Sequence, residues 1–279
     1  MAYETTVSRR RNAEARISVL SELRDVFDSM RTLSLVEIAK LSRSEPARHR
    51  LQHQLTTIAQ VSAPYFNVLG TPPGPTLSLL VGSERGFCAG FNEGVTLAWD
   101  RIHAVDPNAR AVVVGSMLAE KLNASSTILD RLSGPTVFED IDASLIAVLH
   151  SIARFEARAR GPIALWTVAN GRDGIETTAI LPFEPPRSAH GQRTPALNLA
   201  PASFIDDFVD QYADAALHGV FATSLLSENR ARLAHMTSAI ERLDENVALL
   251  RRQTHRLRQE EITEEVETIL LSTQADQSR

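Results

Sequence analysis

The sequence predicts two long terminal helices paired antiparallel as a coiled coil, with an α/β domain inserted between them. Three observations carry this. From Ser203 to about Leu271 there is no proline and one glycine, Gly219. Within that stretch Leu233, Met236, Ile240, Leu243, Val247, Leu250, Thr254 and Leu257 recur at alternating steps of three and four, the a/d seam of a coiled coil. Between the termini, strand and helix patterns alternate over residues ~75–182, as they do where helices cover a mainly parallel sheet.

The N-terminal helix is predicted over residues ~10–62. Val19, Leu23, Val26, Met30 and Leu33 alternate steps of four and three, and Leu20, Phe27 and Leu41 widen the stripe. Pro46 implies a kink there, or a restart with proline in the first turn. In the middle, Thr76–Val81 reads as a strand running into a Gly-rich loop, and Ala111–Val114 as a buried strand before a helix. Ile141 to Ala157 is amphipathic. Ile163–Val168 and Ile175–Leu181 read as strands whose short Gly-containing link predicts a hairpin. Residues 182–202 hold five prolines and read as an extended connection. The C-terminal helix would span roughly 100 Å at 1.5 Å per residue, far more than a compact domain of this size needs. The expected division is therefore 1–70, 71–200 and 201–279, the middle part being Rossmann-like.

Composition sets limits. The 279 residues carry 43% hydrophobic side chains, enough for a sizeable core. A net charge of −5 argues against nucleic acid as a partner. Among 29 basic residues only Lys40 and Lys121 are lysines. Cys88 is the sole cysteine, which excludes an internal disulfide or a cysteine-based zinc site. The polar, Arg-rich start (Met1 to Arg16) does not read as a signal peptide. No run approaches the ~18 apolar residues of a membrane span, so any membrane association is expected through a partner.

Four segments resemble the γ subunits of F-type rotary ATPases. Ser227-Glu-Asn-Arg-Ala-Arg-Leu-Ala-His-Met236 is similar to a γ signature. So are Arg258-Gln259, Ile262-Thr263 and Glu265-Val266 near the C-terminus, Ser83 to Asn92 in the middle, and Arg16-Ile17 with Ser29-Met30 near the N-terminus. There are departures: Glu37 stands where the family carries lysine, His255 where it carries asparagine, and Ala89 where it carries a second loop glycine. The Arg-rich Ser29-Met-Arg-Thr-Leu33 is similar to the alternate ATPases of some bacteria, some of which pump sodium.

The resemblance implies a rotor with no active site and no cofactor. It implies a catalytic hexamer of α and β subunits, an ε subunit and a ring of c subunits as partners, on the cytoplasmic face of a bacterial inner membrane. Met30, Arg258, Gln259 and Thr263 would meet the hexamer in one region. Leu197, Leu199 and Ala200 would form the foot on the c-ring.

Two other readings compete. Gly82 to Asn92 also resembles the oxyanion loop of enoyl-CoA hydratases (crotonases), although Asn92 stands where that family expects aspartate and no second Gly-rich segment follows. A homodimeric coiled-coil protein would show the same seam. No P-loop is present, so nucleotide binding of that kind is not expected. Cys88 lacks a nearby histidine in sequence and reads as an inert thiol, and His49 with His53 is the sole i,i+4 histidine pair.

Overall fold

The computed structural model describes residues 2–66, 74–122, 127–159, 161–183 and 196–277. Two compact units divide the chain: a terminal unit of residues 1–33 with 233–279, and a sheet unit of residues 34–232. Helix α1 (Ala2–Phe66) and helix α5 (Pro201–Gln277) contribute to both. Helix α1 passes through Pro46 without a break. In that turn the carbonyl of Leu41 accepts hydrogen bonds from Ser44 Oγ at 2.8 Å and Arg48 Nη1 at 3.4 Å.

In the terminal unit, α1 and α5 run antiparallel. Arg10 Nε donates to Glu261 Oε2 at 2.9 Å, and Arg24 Nε donates to Asp244 Oδ1 at 2.7 Å. Position rises along one helix as it falls along the other. Ion pairs of this kind add little to stability; their effect is on register. The seam on α5 is the one the sequence predicts. Met236, Ile240, Leu243, Val247 and Leu257 are buried, and Leu233, Leu250 and Thr254 are half-buried. Each fully buried apolar side chain contributes about 1.5–3 kcal/mol.

The seam on α1 differs in part from the predicted one, keeping Leu20 and Phe27. Val19, Leu23, Val26 and Leu33 are 61, 40, 53 and 61% exposed, and Met30 is half-buried. The inward row is Arg10, Ala13, Ile17, Leu20, Arg24 and Phe27, also at steps of three and four, with Ala13 buried and the others half-buried. It lies one residue, about 100°, around the helix from the predicted stripe. Two arginines on the inward row disguised it: their guanidinium groups reach across to Asp244 and Glu261, so the row is not apolar although it faces the partner helix.

The sheet unit holds five strands in the order β3-β2-β1-β4-β5: β1 (Thr76–Val81), β2 (Arg110–Val114), β3 (Ile128–Leu132), β4 (Ala164–Asn170) and β5 (Ile175–Leu181). β1 to β4 are parallel, and β5 pairs antiparallel with β4 as the predicted hairpin. β3 is absent from the strands the sequence predicts. It is an edge strand carrying Asp130 and Arg131, and charge on an edge blunts pairing with other chains. It also masks the strand pattern.

Strand alternation sends side chains to two cores. Leu77, Leu79, Val81, Val112 and Val114 face a large core shared with α4 (Ile141–Ala159), Leu41 of α1 and Leu217, Phe221, Ala222, Leu225 and Leu226 of α5. Leu80, Ala111, Val113 and Val168 face a smaller core with Val95 and Trp99 of α2 (Phe91–Val105) and Leu118 of α3 (Ser116–Lys121). Glu37, the departure from the family's lysine, is buried here. It accepts from Phe138 N at 3.0 Å at the 3-10 turn preceding α4, and pairs with Lys40 at 3.0 Å. A carboxylate suits that helix start better than an ammonium would.

Candidate functional site

In a doubly wound sheet, ligands bind beyond the carboxyl ends of the strands where the connections diverge. Here that place lies beyond β1 and β4, and the loop 82–90 crosses it. Its polar groups are engaged by the chain itself. Asn92 Oδ1 accepts from Ser83 N at 2.9 Å, and Asn92 Nδ2 donates to Ser83 Oγ at 2.9 Å. Asn170 Nδ2 donates to the Phe91 carbonyl at 2.9 Å. Glu84 accepts from Ser116 N at 2.9 Å, Ser116 Oγ at 2.7 Å and Gly134 N at 2.7 Å, tying together the ends of β1, β2 and β3. Gly115, at φ 107°, allows this: a Cβ there would lie 2.7 Å from the carbonyl oxygens of Gly82 and Ser83. Asn92, the residue that differs from the crotonase pattern, thus serves as an internal brace, and the crotonase reading finds no support.

The turn of α5 over 227–232 holds the same loop. Ser227 Oγ donates to the Gly171 carbonyl at 2.7 Å. Glu228, Asn229 and Arg232 are 4, 2 and 6% exposed. Arg232 donates through Nη2 to Glu228, through Nη1 to Asn229 Oδ1 at 3.3 Å, through Nε to the Gly86 carbonyl at 3.5 Å and through Nη2 to Cys88 Sγ at 3.7 Å. Asn229 Nδ2 donates to the Leu225 carbonyl at 2.9 Å. Burial pushes the Glu228 carboxyl up to about 7 although Arg232 pulls it down. Burial, and then Glu228, also push the Cys88 thiol up, the opposite of an activated nucleophile. The resemblance marks residues 227–236 but gives them no role. Their signal is positional: polar residues occupy 228, 229 and 232, on the row that Phe221, Leu225 and Met236 bury. Polar groups at core-facing positions require partners.

A raised carboxyl pKa means the folded chain holds that proton more tightly than the unfolded one. Glu228 therefore favours folding below its ordinary pKa and loses that contribution as pH rises towards 7. Glu228→Gln does not titrate. The stability of the natural chain relative to this variant is expected to fall by about 3 kcal/mol between pH 4 and pH 8, measured by urea denaturation at each pH.

The residues singled out from sequence lie at separate places. Arg258, Gln259 and Thr263 are exposed on α5 in the terminal unit, with Thr263 Oγ1 donating to the Gln259 carbonyl at 3.0 Å. Met30 does not share their region. The Arg24–Asp244 pair sets Met30 level with residue ~238, twenty residues or roughly 30 Å along the axis from Arg258. In the sheet unit, Leu197 is half-buried, Leu199 is 58% exposed and Ala200 is exposed, and the Ala200 carbonyl accepts from Phe204 N at 3.1 Å as α5 begins. The aromatic rings near this end are those of Tyr65, Phe66, Phe183, Phe204, Phe208 and Tyr212, in edge and tilted contacts with centroids 4.5–6.5 Å apart. Most of the proline-rich connection (184–195) lies outside the described residues. Among the described residues no helix is long and apolar enough to cross a membrane.

Known proteins share this arrangement. The family model described as ATP synthase matches residues 9–275. The ATP synthase gamma chain of Chlorobaculum parvum is 26% identical over 269 residues, covering 88% of this chain and 92% of that one. A chain of the Euglena gracilis mitochondrial ATP synthase superposes with a TM-score of 0.67 at 13% identity, covering 96% of this chain and 95% of that one. A chain of the central stalk and c-ring of the Tetrahymena thermophila mitochondrial ATP synthase superposes at 0.58 and 15% identity, covering 77% and 99%. A family match over nearly the whole length, with the same helix–sheet–helix order, settles membership: the chain belongs to the ATP synthase gamma-chain family and has the fold of a central stalk.

Proposed function

We propose that this chain is the rotor of an ion-translocating ATP synthase, a shaft that performs no catalysis and holds no cofactor. The observation that carries this is the antiparallel helix pair, locked in register by Arg10–Glu261 and Arg24–Asp244, in a chain matched by the family over residues 9–275. The terminal helices enter a hexamer of α and β subunits. Their surface differs on every side, so each β subunit meets a different face, and each orientation favours a different nucleotide affinity. Arg258, Gln259 and Thr263 form one contact level and Met30 another. Leu197, Leu199 and Ala200 form the foot on the c-ring, with ε beside it. The functional division is 1–70, 71–200 and 201–279, with the middle part joining shaft to ring.

The complex works at the cytoplasmic face of a bacterial inner membrane, which the chain meets only through its partners. The likeness of Ser29–Leu33 to the alternate bacterial ATPases, some of which pump sodium, leaves proton and sodium as the two coupling ions, and sodium-stimulated ATP hydrolysis in membranes carrying the complex separates them. Co-expression with α and β subunits tests the rotor reading itself. It predicts one copy of this chain per hexamer; a stable symmetric dimer that never joins a hexamer would sink it.

A further inference from the structure

The rotor reading leaves one buried charged cluster without a task. On a single turn of α5, Glu228 and Arg232 reach out of the helix to the loop after β1. Glu228 accepts from the Arg85 backbone N–H, while Arg232 reaches the Gly86 carbonyl and the Cys88 sulfur. The loop needs such a hold. Phe87, at its tip, sits at φ 64°, a left-handed conformation costing a non-glycine residue roughly 1–2 kcal/mol. A guanidinium can serve two loop acceptors and two helix acceptors at once because its donors fork in a plane.

We propose that Glu228 is a positioning residue that aims Arg232 at residues 86–88, so that the pair latches this loop onto α5 and releases it when the carboxyl takes up a proton. The charged and titratable groups facing Glu228 are Arg232 on its own helix and Glu84 and Cys88 on the loop, which also offers the Arg85 backbone N–H. Arg232 and the Arg85 N–H favour the carboxylate, whereas Glu84 and burial oppose it. The balance brings release close to neutral pH. A protonated Glu228 no longer attracts the guanidinium, which then has three neutral acceptors and a buried charge without a counter-ion. The latch stands on this geometry alone; its part in transmitting torque rests on the rotor reading.

Cys88 is the chain's sole cysteine and lies under the latch, so it reports on it directly. The test is the rate of Cys88 modification by a thiol reagent in the folded full-length chain, divided at each pH by the rate in the unfolded chain. The expected result is a normalised rate roughly tenfold faster at pH 6 than at pH 8, the scale of losing one hydrogen bond to a charged group. Glu228→Gln should be fast at both values. Arg232→Lys should also be fast, because an ammonium can pair with Glu228 but cannot fork to Gly86 and Cys88. It keeps the buried charge paired, so the test survives if Glu228→Gln fails to fold. A pH-independent natural rate, or an Arg232→Lys rate equal to the natural one at pH 8, where the natural latch is closed, overturns the latch. In the assembled complex, Arg232→Lys should lower ions moved per ATP hydrolysed; an unchanged ratio removes the latch from the torque path without touching the labelling result. Failure of the natural chain to join a hexamer would defeat the rotor reading and leave the labelling result standing.

Discussion

Replacing Arg258 and Gln259 together by alanine is expected to lower ion-driven ATP synthesis by roughly 5- to 150-fold, the range of a coupling free energy of ~1–3 kcal/mol. The same double variant should change the stability of the chain by no more than ~0.5 kcal/mol, as exposed substitutions do. Both side chains are exposed on α5 and lie outside the row formed by Leu250, Thr254, Leu257 and Glu261 that faces α1. Neither belongs to the row that packs on α1, so a selective loss of synthesis points to a contact outside the chain. Synthesis and pumping in reconstituted vesicles, alongside thermal unfolding of the isolated chain, separate the two effects. Full coupling in the double variant would make these residues a solvated helix face.

The largest effect on stability is expected from Phe221→Ala, about 3–5 kcal/mol against a total of about 5–15 kcal/mol for a typical domain. Phe221 is fully buried on α5, in the core that also holds Leu79, Leu165, Ile180 and Leu217. Its ring fills space between the sheet and the helix that no neighbour can take over without moving the backbone. The urea midpoint should fall sharply with little change in slope. Leu249→Ala is the control, since Leu249 is 59% exposed and should cost almost nothing. Equal costs for the two substitutions would mean that α5 is not docked on the sheet.

What could be read from the chain followed the strength of periodic signals. The α5 seam is apolar at seven of its eight positions, Thr254 being the exception, and was legible outright. On α1 Val19, Leu23, Val26 and Leu33 point outwards, while Leu20 and Phe27, which widen that stripe, lie on the inward row with Arg10 and Arg24, whose charges are satisfied across the helix pair. β1, β2, β4 and β5 carry β-branched or apolar runs and were legible; β3 carries charges at its edge position and was not. The motif at 227–236 identified the family, yet the work of Glu228 and Arg232 depends on a loop more than 140 residues away in sequence. Spacing along one helix cannot report such a contact. The separation of Met30 from Arg258 was likewise invisible until the ion pairs fixed the register.

The central claim is that this chain turns inside a hexamer. The most direct measurement is rotation of a single assembled complex held by its hexamer, with a bead attached at an exposed position of α2 through Cys88→Ser with Arg101→Cys. With ATP the account predicts rotation in one direction, pausing once per β subunit in each turn. A bead that stays still, or only fluctuates, while the same complex hydrolyses ATP would contradict it.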